Sequence, residues 1–211
     1  MNVLLILFGK LLSIISRFVN VGSGSTWPGH VALSINKNFI KQIINKNPLL
    51  KIILIAGTNG KTTTGKLIQT ILEKCGKKVF QNQAGANLLN GIASSLILNS
   101  NLSGKIDKDF AIFEIDENTL RLILKEITNP NFILILNLFR DQLDRYGEVN
   151  IIAKKWKDAI SRLPLKTKLI LNSDDPQIAN LASHLKGVNV NYFGIDSKNK
   201  TDKNQHASDS T

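Results

Sequence analysis

The chain has 211 residues, 43% of them hydrophobic, and its 27 Lys and Arg residues outnumber 16 Asp and Glu residues to give a net charge of +11. This size suits one good-sized globular domain with an appendage. The single cysteine, Cys75, excludes a disulfide framework and a cysteine metal cluster, which fits a reducing cytoplasm. The positive charge reflects either a biased composition rich in Lys, Asn and Ile or an anionic partner. Aromatic residues are too few for a base-stacking surface, so no nucleic-acid partner is predicted.

The N-terminal stretch, residues 1–21, is strongly apolar but contains Lys10 and Arg17. A secretory signal places its positive charge before the apolar run, and here the charge follows it. A membrane-spanning helix would bury Lys10 near its middle at high cost. We therefore predict an amphipathic or buried helix, with contact to a membrane surface and a true membrane span as the alternatives.

The next two stretches differ in composition. Residues 22–29 contain three glycines and Pro28, which predict a loop without regular structure. Residues 30–46 carry apolar side chains four apart and predict one helix, which Pro48 ends. Residues 1–48 would together form an N-terminal helical segment with a glycine loop.

Strands and helices alternate in the rest of the chain. Strands are predicted at 52–56, 79–80, 110–115, 132–138, 168–171 and 188–193. Helices are predicted at 61–74, 88–98, 118–127, 151–163 and 176–185. The alternation and the nearly continuous apolar strands indicate an α/β fold, a parallel sheet flanked by helices on both faces. Residues 49–195 would form this domain, and 196–211 a disordered tail.

A glycine-rich motif follows the first predicted strand. It reads Gly57, Thr58, Asn59, Gly60, Lys61, Thr62 and Thr63. Strand, glycine loop and helix start form the context of a phosphate-binding loop, in which backbone N–H groups and the helix N-terminus attract phosphate. Lys61 would contact the β- and γ-phosphates, and the Thr62 hydroxyl would bind Mg²⁺. Ile55 stands where the usual first glycine is expected, so a Gly–Asn turn before an ordinary helix is the alternative.

Glu114 ends the third predicted strand, and open α/β sheets bind ligands at that end of their strands. Mg²⁺ prefers one or two carboxylates together with waters and phosphates. We therefore predict Glu114 as a metal ligand, with Asp116 and Glu117 close enough to support it. The alternative is a solvated acidic strand end followed by a helix cap.

Several motifs occur in one order along the chain. They are the glycine loop before Pro28–Gly29, GTNGKTTT from Gly57, Ala86-Asn87-Leu88, EIDE from Glu114, NLFRDQLDRYGE from Asn137 and LNSDDP from Leu171. Together they resemble the Mur ligase superfamily, and within it the family of MurT, the Mur-ligase-like subunits of lipid II isoglutaminyl synthase. Gln142, in place of a histidine found in other Mur ligases, is the most specific feature. The resemblance spans residues 1–195.

The resemblance implies a phosphate-loop Mur ligase central domain that binds ATP and Mg²⁺ and works in the cytoplasm. ATP would phosphorylate the α-carboxylate of D-glutamate in lipid II, and ammonia from a glutaminase partner resembling GatD would convert it to D-isoglutamine. By motif, Lys61 and Thr62 would bind phosphates and Mg²⁺, Glu114 would hold the metal, and Asn137 and Asp141 would shape the metal and acyl-phosphate side. The lack of the histidine puts the family's second metal in question.

Other features are left open by the resemblance. Lys155 lies near the offset of the carbamylated lysine of many Mur ligases, but a solvated basic helix face is favoured. Asp174 and Asp175 would either face the nucleotide or only terminate a strand. The family's zinc ribbon and C-terminal domain have no counterpart here, so a fragment or truncated gene, inactive by itself, is expected. Another superfamily ligase, such as a folylpolyglutamate synthase, and a non-catalytic nucleotide-binding remnant are the alternative functions.

Overall fold

The computed structural model describes residues 1–18, 26–82, 85–138, 146–183, 185 and 187–195. The helices are α1 (Asn2–Phe18), α2 (Trp27–Ile35), α3 (Phe39–Lys46), α4 (Lys61–Lys74), α5 (Leu89–Asn99), α6 (Leu120–Glu126), α7 (Tyr146–Ile160) and α8 (Pro176–Ala179). A 3₁₀ turn (Asn180–Ala182) follows α8. The strands are β1 (Lys51–Ala56), β2 (Val79–Gln81), β3 (Phe110–Ile115), β4 (Phe132–Ile135), β5 (Lys168–Asn172) and β6 (Asn189–Phe193).

The strands form one parallel sheet in the order β2-β3-β1-β4-β5-β6. β1 lies between β3 and β4, and all its residues after Lys51 are buried. Its run of β-branched and apolar side chains suits a strand that is covered on both faces. The predicted α/β fold with a parallel sheet is therefore confirmed.

The two faces of the sheet carry different helices. Ile53 and Ile55 of β1 pack with Ile68 and Leu72 of α4 on one face. On the other face, Leu54 belongs to a larger core that includes residues of α1, α3, α5, α6 and α7. The helix that follows β1 therefore lies on the opposite face from the helices that follow β3 and β4. Such a switch opens a crevice at the carboxyl ends of the strands, where α/β proteins bind ligands.

The N-terminal segment differs from its prediction. The predicted loop 22–29 is wrong in its last part, because helix α2 starts at Trp27 with Pro28 in its first turn. Proline is tolerated there, since the N–H that it lacks has no partner within the helix. The predicted single helix 30–46 is two helices, α2 and α3, separated by a turn. The buried Asn36 side chain accepts a hydrogen bond from the Asn38 backbone N–H and so stabilises that turn.

Helix α1 packs on α2 and α5, as predicted for a helix that rests on the body of the protein. Leu5 and Ile6 are buried in the core, and Gly9 approaches Ile97 of α5. Lys10 Nζ donates to the Leu98 carbonyl oxygen over 3.4 Å. Within the described ranges, no helix has both the length and the hydrophobicity that crossing a bilayer requires.

Several element boundaries also differ from the predictions. β4 ends at Ile135 rather than 138, because the chain then turns to contact the glycine-rich motif. The predicted helix 176–185 is a single α-helical turn, α8, followed by the 3₁₀ turn. The segment 139–145, with Asp141 and Gln142, and the predicted disordered tail 196–211 lie outside the described residues.

Candidate nucleotide and metal site

The carboxyl ends of β1, β3 and β4 meet at one edge of the sheet. In the strand register Ile55 lies opposite Glu114, and Ala56 lies opposite both Ile115 and Ile135. The chain leaves β1 into the glycine-rich motif, so this motif, Glu114 and the residues after β4 become neighbours. These are the places to which the sequence assigned the phosphate-binding chemistry.

The backbone of the motif needs both of its glycines. Gly57 and Gly60 have φ angles of +150° and +82°, which side-chain-bearing residues rarely adopt. A Cβ at Gly57 would also lie 3.1 Å from the Leu136 Cβ and 3.2 Å from the Asn137 backbone nitrogen. Gly60 is the N-cap of α4, so the motif turns directly into the first turn of that helix. The backbone N–H groups of that turn form the anion-attracting end of the helix.

Asn137 holds the motif in place. Its Oδ1 accepts from the Asn59 backbone N–H at 2.9 Å, and its Nδ2 donates to the Asn59 carbonyl oxygen at 3.0 Å. The Asn137 carbonyl oxygen also accepts from the Thr58 backbone N–H at 3.1 Å. Asn137 thus accepts two hydrogen bonds from the loop backbone and donates one to it. These three bonds fix the tip of the loop to the segment after β4. The structure places Asn137 against the loop backbone, a role that the sequence did not assign to it.

The Lys61 ammonium group folds back over the motif. Its Nζ donates to the carbonyl oxygens of Gly57 and Thr58, the latter over 2.9 Å. An ammonium group has three N–H donors, so these two bonds leave one donor for an anion lying over the loop. Thr62 and Thr63 follow in the first turn of α4, where both residues are exposed.

The next feature is a hydrogen bond between the motif and β3. Thr62 Oγ1 donates to Glu114 Oε2 over 2.7 Å, as expected if both residues belong to one site. Only 3% of the Glu114 surface is exposed. A buried carboxylate is costly unless it is hydrogen-bonded, paired with a cation or bound to a metal. Its second oxygen, Oε1, accepts no hydrogen bond from the residues that the structure describes.

Gln81, at the end of β2, adds an oxygen that the sequence analysis missed. Its Oε1 is buried and, within the described part of the chain, has no hydrogen-bond partner. A Cβ at Gly65 would lie 3.2 Å from Gln81 Oε1 and 3.6 Å from Glu114 Oε1, so both oxygens approach α4 at one point. In the sequence, Gln81 is only a polar residue directly after a predicted strand. It could be assigned to the site only once β2 was known to lie beside β3.

These oxygens fit a hard divalent cation. Thr62 Oγ1, Glu114 Oε1 and Gln81 Oε1 are the oxygen donors that Mg²⁺ prefers, and two of them are buried without a partner among the described residues. Those residues contain no cluster of three or more His, Cys, Asp and Glu side chains that could hold a metal. Mg²⁺ needs only one or two protein carboxylates, because waters or phosphates take its other positions.

Asn82 positions Glu114. Its side chain is buried, with Oδ1 accepting from the Glu114 backbone N–H at 2.8 Å and Nδ2 donating to the Glu114 carbonyl oxygen at 3.0 Å. The same Nδ2 donates to the Ala86 carbonyl oxygen at 2.8 Å. The side-chain amide thereby continues the β2–β3 pairing beyond the end of β2 and keeps Glu114 at the sheet edge.

Asp116 and Glu117 have local structural contacts. Asp116 Oδ1 accepts from the Asn118 backbone N–H at 2.9 Å, within the turn before α6. The Glu117 carbonyl oxygen accepts from Trp156 Nε1 at 2.7 Å, which joins this turn to α7. The supporting role predicted for their carboxylates stays a prediction.

Asp174 and Asp175 bond to backbone amides at the end of β5. Asp174 accepts from the Ile195 backbone N–H, and Asp175 caps α8 and accepts from the Leu138 N–H at 3.0 Å. Of the two alternatives, these contacts favour strand and loop termination.

Lys155 is exposed on α7, next to the buried Trp156, as a solvated basic helix face would be.

A comparison with known families decides the membership of this chain. The sequence model of the family called Mur ligase middle domain matches residues 55–211 of this chain. This range includes the glycine-rich loop, Glu114 and Asn137. The chain belongs to the Mur ligase family.

Relatives within this family agree with the resemblance seen in the motifs. The chain is 40% identical over 170 residues to the MurT subunit of lipid II isoglutaminyl synthase (glutamine-hydrolyzing) from Streptococcus pneumoniae (strain ATCC BAA-255 / R6), covering 80% of this chain and 36% of that protein. It is 35% identical over 172 residues to the MurT subunit from Staphylococcus aureus (strain COL), covering 82% and 37%. The chain thus spans a little over a third of the length of these curated relatives.

Solved structures show the same fold. The MurF ligase from Thermotoga maritima in complex with ADP superposes with a TM-score of 0.62 at 20% identity, over 76% of this chain and 36% of that one. A bifunctional folylpolyglutamate synthase/dihydrofolate synthase superposes with a TM-score of 0.54 at 19% identity, over 76% and 48%. At this level of identity the likeness establishes the parallel α/β architecture.

Proposed function

We propose that this protein is the Mur-ligase-like part of an ATP-dependent carbon–nitrogen ligase that amidates lipid II. The substrate group would be the α-carboxylate of D-glutamate in the stem peptide, and the product D-isoglutamine. Membership of the Mur ligase family and similarity to two MurT subunits support the proposal. The name of those relatives supplies both the lipid II substrate and the hydrolysis of glutamine.

The observation that carries the nucleotide part is the contact between the loop and β3. Thr62 of the loop bonds to Glu114, and the free oxygen of Glu114 faces the same point of α4 as Gln81. A buried carboxylate held beside a glycine-rich helix start is suited to a metal–triphosphate complex and has little value in an ordinary turn. The related MurF structure contains ADP, and the folylpolyglutamate synthase structure contains AMPPNP and Mn.

The proposed reaction has two steps. The substrate carboxylate attacks the γ-phosphorus of ATP, the bond to the β-phosphate oxygen breaks, and an acyl phosphate and ADP form. Ammonia then attacks the acyl carbon, the carbon–oxygen bond to phosphate breaks, and the ammonia nitrogen gives up a proton as the amide forms. Phosphoryl transfer depends mainly on positioning and on neutralising charge, which backbone amides and one lysine can supply.

The residues of this chain would divide these tasks. Lys61 and the first-turn amides of α4 would hold the phosphates, and Asn137 would keep the loop in its binding conformation. Thr62, Glu114 and Gln81 would hold Mg²⁺, with Asn82 positioning Glu114. The bound metal would neutralise charge on the phosphate oxygens. Asp141, outside the described residues, is proposed for the acyl-phosphate side by motif.

Ammonia would come from a glutaminase partner similar to GatD. Ammonia released into water at neutral pH is mostly protonated and is then no nucleophile, so delivery from a bound partner gives the second step a usable reagent. A protected route also limits hydrolysis of the acyl phosphate.

The test uses the whole protein that the gene encodes, because the 211-residue chain spans only a little over a third of the length of its MurT relatives. It is incubated with lipid II, ATP, Mg²⁺ and glutamine in the presence of the cognate glutaminase, and the stem peptide is analysed by mass spectrometry. We expect D-glutamate to become D-isoglutamine and ATP to be split into ADP and phosphate. Ammonium chloride at alkaline pH should replace glutamine and its partner.

One variant of the proposed site and one control variant are assayed in the same way. Glu114→Gln should abolish amidation, whereas Lys66→Ala, an exposed lysine on α4, should leave it unchanged. Nucleotide binding without amidation would contradict the proposed reaction and favour a non-catalytic nucleotide-binding protein. Addition of glutamate to a folate would instead favour a folylpolyglutamate synthase.

A further inference from the structure

Helix α1 presents an apolar surface that the described residues leave exposed. We call it the outer face of α1, and it consists of Val3, Leu4, Leu7, Phe8, Leu11, Ile14 and Ile15. Each of these side chains is between 48% and 70% exposed. Their spacing of three and four residues places them along one side of the helix. The opposite side carries Leu5 and Ile6 into the core, so α1 is apolar nearly all round.

Such a surface usually has an occupant. Single exposed apolar side chains are common, but a contiguous row over four helical turns marks a site for a protein or a membrane. The core side of α1 is fixed by its packing on α2 and α5, so the helix cannot rotate to bury the outer face. The occupant therefore lies outside the residues that the structure describes.

Charge indicates what kind of occupant this is. Residues 1–46 contain five basic residues and no Asp or Glu, and the basic residues are Lys10, Arg17, Lys37, Lys41 and Lys46. Lys37 and Lys41 are exposed. Asn36, next to Lys37, and Gln42, next to Lys41, both hydrogen-bond to the Asn2 side chain, at 2.9 and 2.8 Å. These bonds bring the two lysines to the N-terminal end of α1. An apolar row with exposed basic residues near one of its ends complements an anionic lipid surface.

We propose that the outer face of α1 docks this protein on a membrane that contains anionic lipids. The helix would lie in the interface, with its apolar row among the upper acyl chains and Lys37 and Lys41 near the headgroups. Its 17 residues give a length of about 25 Å, short of the about 30 Å hydrocarbon core, so it lies on the bilayer and does not cross it. Lys10 stays bonded to the Leu98 carbonyl oxygen at the side of the helix that faces the protein.

The choice of a membrane also rests on the proposed function, because lipid II is a lipid-linked substrate. A protein held at the bilayer searches for such a substrate in two dimensions. The lipid tail of lipid II can then stay in the bilayer while its headgroup reaches the nucleotide site. The vesicle experiment below contains neither nucleotide nor lipid II. Its failure is therefore distinguishable from failure of the amidation assay.

The experiment measures co-sedimentation of the protein, as expressed from its own gene, with two kinds of vesicle. One contains phosphatidylcholine only, and the other also contains phosphatidylglycerol. We expect partitioning into the anionic vesicles that falls with added salt. The triple variant Leu4→Gln, Leu7→Gln and Leu11→Gln should reduce it at least about tenfold, since apolar burial drives interfacial helix binding. Lys37→Gln with Lys41→Gln should weaken binding to anionic vesicles at low salt.

A matched control separates this face from exposed leucines in general. The triple variant Leu49→Gln, Leu102→Gln and Leu165→Gln changes equally exposed leucines outside α1 and should bind vesicles like the original protein. All the altered leucines are exposed, so both variants should fold, which unchanged Mg-ATP binding and unfolding midpoint will verify.

Three outcomes would overturn the inference. The original protein could fail to sediment with anionic vesicles, or the α1 variant could sediment as well as the original. Light scattering during gel filtration tests a second copy as the occupant. A dimer that the α1 substitutions convert to a monomer, without vesicle binding by the original protein, would assign the face to self-association.

Discussion

Two side-chain oxygens at the sheet edge are buried without a hydrogen-bond partner among the described residues, those of Gln81 and Glu114. Leaving such a polar atom unsatisfied costs about 1–3 kcal/mol, and more when it carries charge. Proteins tolerate that cost where a ligand satisfies the atoms, and both atoms approach Gly65 beside Thr62. Their arrangement supports the proposed cation site.

Substitution of Lys61 tests the phosphate part of the site. Lys61→Ala removes the charge-assisted hydrogen bond that we propose between the Lys61 ammonium group and the phosphates. The substitution should therefore weaken Mg-ATP binding by about 1.5–3 kcal/mol. Titration with a fluorescent nucleotide measures this loss. Lys66→Ala, on the exposed side of the same helix, should bind as before. Equal affinity of the Lys61 variant and the original would remove the loop from the proposed site.

Substitution of Gln81 tests the metal part. Gln81→Leu keeps a side chain of similar size but removes the oxygen, so the Mg²⁺ concentration needed for half-maximal nucleotide binding should rise about tenfold or more. Nucleotide affinity at saturating Mg²⁺ should change much less. Gln69→Leu on α4, whose amide bonds to the exposed Glu73, is the control. An unchanged Mg²⁺ requirement in the Gln81 variant would exclude Gln81 as a ligand.

At the scale of elements, the contact between α2 and α5 depends on one glycine. A Cβ at Gly29 would lie 1.9 Å from the Asn90 carbonyl oxygen and 2.6 Å from the Ser94 backbone nitrogen. The Gly29 backbone N–H donates to Ser94 Oγ at 2.8 Å. These backbone atoms belong to a helix and cannot move aside singly. The glycine next to Pro28 thus serves close helix packing, although in the sequence it reads as a sign of a loop.

Gly29→Ala should therefore destabilise the protein by about 1–3 kcal/mol, the usual cost of forcing an extra methyl group into a packed region. Urea unfolding followed by the fluorescence of the buried Trp156 measures it. His30→Ala, at the next and exposed position of α2, should change the free energy of unfolding far less. Equal stabilities of the two variants would show that α2 and α5 can separate at little cost.

For the molecule as a whole, the proposed membrane contact depends on α1. It is fixed to the body by Leu5 and Ile6 and by the bond from Lys10 to Leu98. We predict that an alkaline carbonate wash releases the protein from a membrane fraction, because a spanning α1 would have to bury the charge of Lys10 in the bilayer. Immunoblotting of pellet and supernatant, with an integral membrane protein as the reference, measures this. Retention in the pellet would contradict the prediction.

The fold class and the main residues of the candidate site could be predicted without the structure. Alternating apolar strands and helices could be identified because burial on both faces demands continuous apolar runs, and these are local in the chain. The glycine-rich motif was predicted to bind phosphate because it directly follows such a run, and Glu114 was predicted as a metal ligand because it lies near the carboxyl end of another. Asn137 was predicted as a site residue from the resemblance of the segment after β4 to Mur ligases, and its contact with the loop backbone was not predicted.

Contacts between residues on neighbouring strands could be seen only once the strand order was known. Gln81 joins Thr62 and Glu114 only because β2 pairs with β3, a contact between residues about 30 positions apart that no local pattern encodes. The hydrogen bonds between Asn137 and Asn59 likewise form only because β4 lies beside β1. Gly29 shows the converse, since glycine and proline favour a loop by local propensity and the packing against α5 overrides that preference. Local patterns determine elements, and the side-chain contacts that make a site arise from their long-range pairing.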